Sequence, residues 1–124
     1  MRFCTLLLLF CSFHLTAQQI AFQSCYEENP LVPKGLLEAV AFTHTRLQIL
    51  DNQTDPSCTG LPKAYGILGL FDESVTYFKS NGKLTEQLSG ISVALQKTEP
   101  QKQVEAYAKA FQRSEEHTSE LQSP

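Results

Sequence analysis

The chain has 124 residues, ten Lys and Arg against thirteen Asp and Glu, a net charge of −3, and 42% hydrophobic residues. That length allows one small hydrophobic core and leaves no room for several domains. The near-neutral charge, spread along the chain without a basic cluster, excludes a nucleic-acid binder.

The first predicted element is a targeting segment. Met1-Arg2 precedes an apolar run from Phe3 to Phe13, and His14-Leu15-Thr16-Ala17-Gln18 follows. This reads as a signal peptide over residues 1–18, cleaved after Ala17 or Gln18, because the apolar run falls short of the about 20 residues a bilayer span needs. The mature chain is therefore expected to be secreted or periplasmic, with no stable membrane insertion once the signal is removed. Cys11 follows Phe10, where a lipidation site wants a small residue, which argues against a lipid anchor. Cys4 and Cys11 leave with the signal, so Cys25 and Cys58 remain as one pair in an oxidising compartment. A disulfide between them is expected, worth roughly 3 to 4 kcal/mol in the chain-entropy treatment. A two-cysteine metal site is the alternative, and it lacks further ligands.

Residues 19–112 form the expected folded region. Gln19 to Cys25 reads as an extended lead-in and Glu27-Glu28-Asn29-Pro30 as a turn. Gly35 to Leu50 is the main amphipathic helix. Leu36, Val40, Thr43, Leu47 and Leu50 fall on one face, Leu37, Ala41 and His44 lie beside them, Pro33 opens the helix, and Asp51-Asn52 stop it. This spacing directs His44 toward the core or its rim. Asp51 to Pro62 is a loop that a Cys58 bridge would tie back. In Lys63 to Phe71 the glycines Gly66 and Gly69 suggest a short helix or turn that comes close to a neighbour. Asp72 or Ser74 is expected to cap a short helix through Val75, Tyr77 and Phe78, ended by Asn81-Gly82. Leu84 to Leu88 gives another turn or two before Gly90, and Ser92 caps Val93 to Lys97. Thr98-Glu99-Pro100-Gln101 reads as a capping box with proline at the start of a last helix running to about Gln112. No run alternates with period two, so the fold class predicted is all-α.

After Phe111 the helical pattern of Val104, Tyr107, Ala108 and Phe111 stops. Arg113 to Pro124, RSEEHTSELQSP, closely resembles the conceptual translation of a widely used sequencing-library adapter. Residues 113–124 are therefore expected to be non-native or disordered, and the natural protein to continue past Gln112.

The chemistry available is narrow. His44 is the one histidine outside the signal and the tail, so residues 19–112 cannot supply the two or three histidines of an ordinary catalytic zinc site. No nucleophile motif accompanies His44, and no phosphate-cradling glycine loop is present. Glu38 sits on the main helix and projects with Phe42, Thr45 and Ile49, which reads as a solvated or capping carboxylate.

Three segments together resemble a family. The main helix, AYGILGL and TEPQKQVEAYAKAF look like the helical lysozyme-like fold of lytic transglycosylases and goose-type lysozymes. Ala39, Val40 and Ala41 match the apolar lead to the catalytic Glu-Ser pair. Ala64, Gly66, Ile67, Leu68 and Leu70 match the Gly-Ala-x-Gly-Leu-Met-Gln motif, and Pro100, Val104, Ala106 and Ala108 match the later helix. His44 stands in the place of the catalytic glutamate, Thr45 in that of the serine, and Gly69 in that of the groove glutamine. Lacking that carboxylic acid, the usual glycosidase mechanism has no general acid. A closer resemblance is to the helical regions that precede the zinc amidase domain of some secreted bacterial N-acetylmuramoyl-L-alanine amidases, which likewise read Ser-Arg or Thr-Arg, as Thr45-Arg46 does, ahead of a Tyr-Gly segment like Tyr65-Gly66.

The resemblance implies a small, truncated, lysozyme-like helical domain of a peptidoglycan amidase. Its partner would be peptidoglycan glycan or stem peptide, bound by His44, Thr45, Arg46, Tyr65 and Gly66. No residue of this chain would be catalytic and no cofactor would be held here, the zinc belonging to a domain beyond Gln112. Two alternatives stay open: an active glycan-cleaving enzyme using Glu38 or Glu73, and a secreted interaction or inhibitor module without wall chemistry.

Overall fold

A computed structural model of the chain describes residues 20–51, 62–73 and 79–122. The described residues are helical, as the sequence pattern predicts: α1 Phe22–Glu28, α2 Leu36–Thr45, α3 Asn81–Ser89, α4 Val93–Thr98 and α5 Pro100–Gln122. The only extended pairing among them is a pair of isolated antiparallel bridges, Leu50 with Gly66 and Tyr65 with Leu70. Helix α5 is the axis on which α1, α3 and α4 pack. The core is drawn from Cys25 and Tyr26 of α1, Val32 ahead of α2, Leu37 and Ala41 of α2, Tyr65, Ile67, Leu68 and Leu70, and Val104 and Ala108 of α5.

Helix α1 lies where an extended lead-in is expected. Seven residues do not hold a helix alone in water, and the ends here are satisfied from outside. The Gln101 side chain of α5 accepts from Ala21 N at 3.0 Å and donates to Ala21 O at 3.3 Å, while Asn29 Nδ2 donates to Cys25 O at 2.9 Å.

Helix α2 ends at Thr45, five residues before the expected Leu50. Arg46 and Leu47 both adopt left-handed backbone, φ 57° and 63°. Arg46 N then reaches Phe42 O at 3.0 Å and Leu47 N reaches Ala41 O at 3.3 Å, which closes the last turn in the way a glycine usually does. The buried stripe is Leu37, Ala41 and Thr45, while Thr43 and Leu47 are exposed and Leu50 pairs with Gly66. Pro33 stands in the turn ahead of the helix, its carbonyl accepting from Leu36 N.

Asn81-Gly82 begins a helix instead of ending one. Ser80 Oγ accepts from Lys83 N at 3.1 Å and donates to Phe71 O at 3.1 Å, and Asn81 Oδ1 accepts from Phe71 N at 2.7 Å. The expected helix through Val75, Tyr77 and Phe78 lies outside the described residues. Gly90 stops α3 in a left-handed conformation and Ser92 Oγ caps α4, both as predicted. Pro100 is the first residue of α5, but the capping box is absent: Thr98 Oγ1 turns back to Ala94 O and Leu95 O.

Residues 113–122 lie in the same helix as the core residues of α5. They continue α5, held by local pairs such as Gln112 Nε2 to Glu116 at 3.3 Å, and residues 113–121 are all exposed. Glu, Gln and Leu are good helix formers, and no glycine or proline interrupts the run before Pro124, so an existing helix propagates through it.

Candidate functional site at the end of helix α2

Two segments that are remote in sequence meet where α2 ends. The turn Tyr65 to Leu70 closes on itself through Tyr65 N to Leu70 O at 2.7 Å and Leu70 N to Tyr65 O at 3.2 Å. Its inner carbonyls are then taken by the last turn of α2. Thr45 Oγ1 donates to Ile67 O at 2.6 Å, sharing its proton with Ala41 O at 2.8 Å. His44 Nδ1 lies 2.9 Å from Leu68 O. A carbonyl only accepts, so Nδ1 carries the proton, and in the neutral ring Nε2 is left as an acceptor.

The glycines permit this approach. Gly69 has φ +63°, and a Cβ there would lie 3.1 Å from His44 Cβ and 3.2 Å from Thr45 Cγ2. Gly66 has φ +72°, and a Cβ there would lie 2.2 Å from Gln103 Oε1. Gln103, 0% exposed on α5, fills that space. It accepts from Leu68 N at 2.9 Å and donates to Tyr65 O at 2.9 Å, so the turn is held from both sides. Sequence reasoning missed Gln103. The available signal was its position beside Val104 on the apolar face of α5, opposite two glycines that free space for an amide.

The five expected binding residues do not share one surface. His44 is exposed and Thr45 is buried beneath it. Arg46 is exposed on the other flank of α2, its guanidinium 4.9 Å from the Phe42 ring centroid. Residues two apart on a helix do not share a face, and Arg46 lies instead over Phe42, four positions back. Gly66 is buried.

Tyr65, expected to bind the glycan or stem peptide, is a core residue, 1% exposed. Its hydroxyl reaches toward Gly82, where a Cβ would come within 2.4 Å of it. Lys97 Nζ sits 5.2 Å from the ring centroid while pairing with Asp72 at 2.6 Å. The hydroxyl has no hydrogen-bond partner among the described residues. Burial, reinforced by the charges of Asp72 and Glu86, pushes this phenol well above the usual tyrosine range. The bridge to Leu70 points the side chain inward, away from His44.

Glu38 neither caps the helix itself nor stands as an open acid. It accepts from the Tyr26 hydroxyl, which in turn receives Gly35 N at 2.9 Å and Leu37 N at 3.0 Å at the start of α2. Burial first, and then the bond to Glu38, raise the Tyr26 phenol. Glu73 is exposed beyond the turn. Cys25 is a free buried thiol 3.7 Å from Gln101 Nε2, raised by burial and by the charge of Glu105; Cys58, its expected partner, lies outside the described residues. Among the described residues no group of three His, Cys, Asp or Glu could hold a metal, and no helix is long and apolar enough to cross a membrane.

A second concavity of about 210 Å³ lies between α3 and α5, walled by Leu84, Leu88, Tyr107, Ala110 and Phe111. It can receive an apolar group but offers no acid or base near neutrality. Ser114 of the adapter-like tail forms part of its rim.

No known family model, curated protein or solved structure matches the chain. The resemblance to lysozyme-like domains therefore stands on the motif residues alone.

Proposed function

We propose that the chain is the N-terminal region of an exported bacterial peptidoglycan amidase, a lysozyme-like domain without glycosidase activity that holds the wall polymer for a zinc amidase domain. One observation carries this reading. The end of α2 and the glycine turn, which correspond to the acid-bearing helix and the glycine motif of lysozyme-like domains, pack directly together through His44, Thr45 and Gly69. An imidazole that donates Nδ1–H to Leu68 O and presents Nε2 to solvent can accept from a sugar hydroxyl or a peptide N–H. In that state it has no proton at Nε2 to give a glycosidic oxygen. Glu38, the other acid on this helix, is engaged by Tyr26.

The contact residues in this reading are His44 at the turn and, on the other flank, Arg46 over Phe42. The test is sedimentation of the chain with purified peptidoglycan, comparing wild type with His44→Gln and Arg46→Ala. Binding weakened by either substitution without loss of folding supports the proposal, and binding unchanged by both contradicts it. Pairing of Cys25 with Cys58 belongs to the same proposal of export. Alkylation that modifies both thiols only after reduction would support it, and alkylation of both in unreduced, unfolded protein would refute it.

A further inference from the structure

We propose that Gln103 is a positioning residue for His44, acting through Leu68 to fix the imidazole as the Nδ1–H tautomer with Nε2 free to accept from a ligand. Leu68 is 0% exposed and is gripped at both ends. Its N–H donates to Gln103 Oε1 at 2.9 Å and its carbonyl receives His44 Nδ1 at 2.9 Å. The two peptide groups flanking Leu68 are thereby set in one orientation, the carbonyl facing α2 and the amide facing α5. The second arm of the same side chain, Nε2 to Tyr65 O at 2.9 Å, prevents the turn from rotating about its closing bonds. Gln103 is fully buried, and its amide occupies the space left by the missing Cβ of Gly66.

The arrangement exceeds what packing needs. A buried apolar side chain of the same length would fill the space, but it would leave Leu68 N–H without its acceptor, take from Tyr65 O one of its two donors, and free the Leu68 peptide groups to tilt. His44 is exposed and Leu68 O is its one hydrogen-bond partner among the described residues, so its ring state follows that carbonyl. Leu68 O aimed at Nδ1 selects the proton there. With that carbonyl turned away, the ring is released to the mixture of tautomers found in water.

The consequence for ligand binding rests on the function proposed above, whereas the tautomer is measured on the ligand-free chain, so the two can fail separately. Nitrogen NMR of the histidine-labelled full chain, with the His44 signals assigned from His44→Gln, reads which ring nitrogen bears the proton. Wild type is expected to show Nδ1–H alone. Gln103→Met, which keeps side-chain length but removes both bonds, is expected to give Nε2–H cross-peaks. Gln103→Glu, whose carboxyl is held protonated by burial and so both accepts from Leu68 N–H and donates to Tyr65 O, is expected to keep the wild-type pattern. Thr45→Val removes the neighbouring bond to Ile67 O; it is expected to lower the melting temperature without altering the His44 tautomer. A wild-type His44 protonated at Nε2 would overturn the inference whether or not any variant folds. So would a folded Gln103→Met that keeps Nδ1–H alone, or a folded Gln103→Glu that loses it. Correct tautomers in a protein that does not sediment with peptidoglycan would leave the positioning role intact and remove the proposed function.

Discussion

Replacing Tyr65 with Phe separates a core residue from a groove residue. The ring is 1% exposed and its hydroxyl has no partner among the described residues, so the substitution removes an unpaired buried group and leaves the packing and the Lys97 contact in place. An unsatisfied buried hydroxyl costs about 1 to 3 kcal/mol, and taking the low end gives a gain of about 1 kcal/mol at neutral pH. In a domain of this size that raises the melting temperature by about 5 °C. The pH dependence follows from the raised phenol. Above the ordinary tyrosine pKa of about 10 the unfolded chain releases a proton that the folded chain retains. Stability is therefore fully present below pH 10 and falls by about 1.4 kcal/mol per pH unit above it. Tyr26 and Cys25 are shifted in the same direction but remain in both proteins, so the difference between wild type and variant isolates Tyr65. Urea titrations at pH 7 and between pH 9 and about 11 measure both effects, with the m-value as a check on the unfolded state. A variant less stable than wild type by about 1 kcal/mol at pH 7 would refute the reasoning. A difference that stays flat through the alkaline range would refute it too, because the phenol would then be ionising as freely as an exposed one.

The other predictions concern backbone and caps. Gly66→Ala should be far worse than Gly69→Ala. The first displaces Gln103, which leaves the buried Leu68 N–H without its acceptor and takes from Tyr65 O one of its two donors, and it adds left-handed strain, for a loss of about 3 kcal/mol or more, while the second adds left-handed strain of about 1 to 2 kcal/mol and a tight contact with His44; chemical denaturation gives the order. Leu47→Gly should stabilise by about 1 kcal/mol, because a half-exposed residue with φ 63° loses little packing and sheds its strain. Tyr26→Phe leaves the amides of Gly35 and Leu37 without their acceptor and should cost about 2 kcal/mol, with faster hydrogen exchange at those two positions.

Sequence periodicity identified most of the helices because local chemistry ends them: Gly90 and Ser92 do their work within one turn, as Pro100 does at the start of α5. It failed where the decisive partner is distant. Helix α1 depends on Gln101, some eighty positions away, and the polarity of Asn81-Gly82 was misread because their acceptor and donor are on Phe71. The end of α2 was set too late because Arg46 and Leu47 take a conformation that composition assigns to glycine. At the candidate site, the close approach of the Gly66 and Gly69 turn to a neighbour is legible in the spacing of the glycines, but which residues it meets is not. Nor are the inward direction of Tyr65 and the burial of Gln103, since an aromatic residue beside a glycine and a glutamine on a helix both occur far more often in other settings.

Sedimentation with purified peptidoglycan bears most directly on the proposed role. The wild-type chain should pellet with the polymer. His44→Gln and Arg46→Ala should each weaken the association about fivefold to tenfold, equivalent to roughly 1 to 1.4 kcal/mol. Leu84→Ala, in the cleft between α3 and α5, should leave it unchanged. A folded wild-type chain that stays in the supernatant would contradict the account and favour an interaction module without wall chemistry.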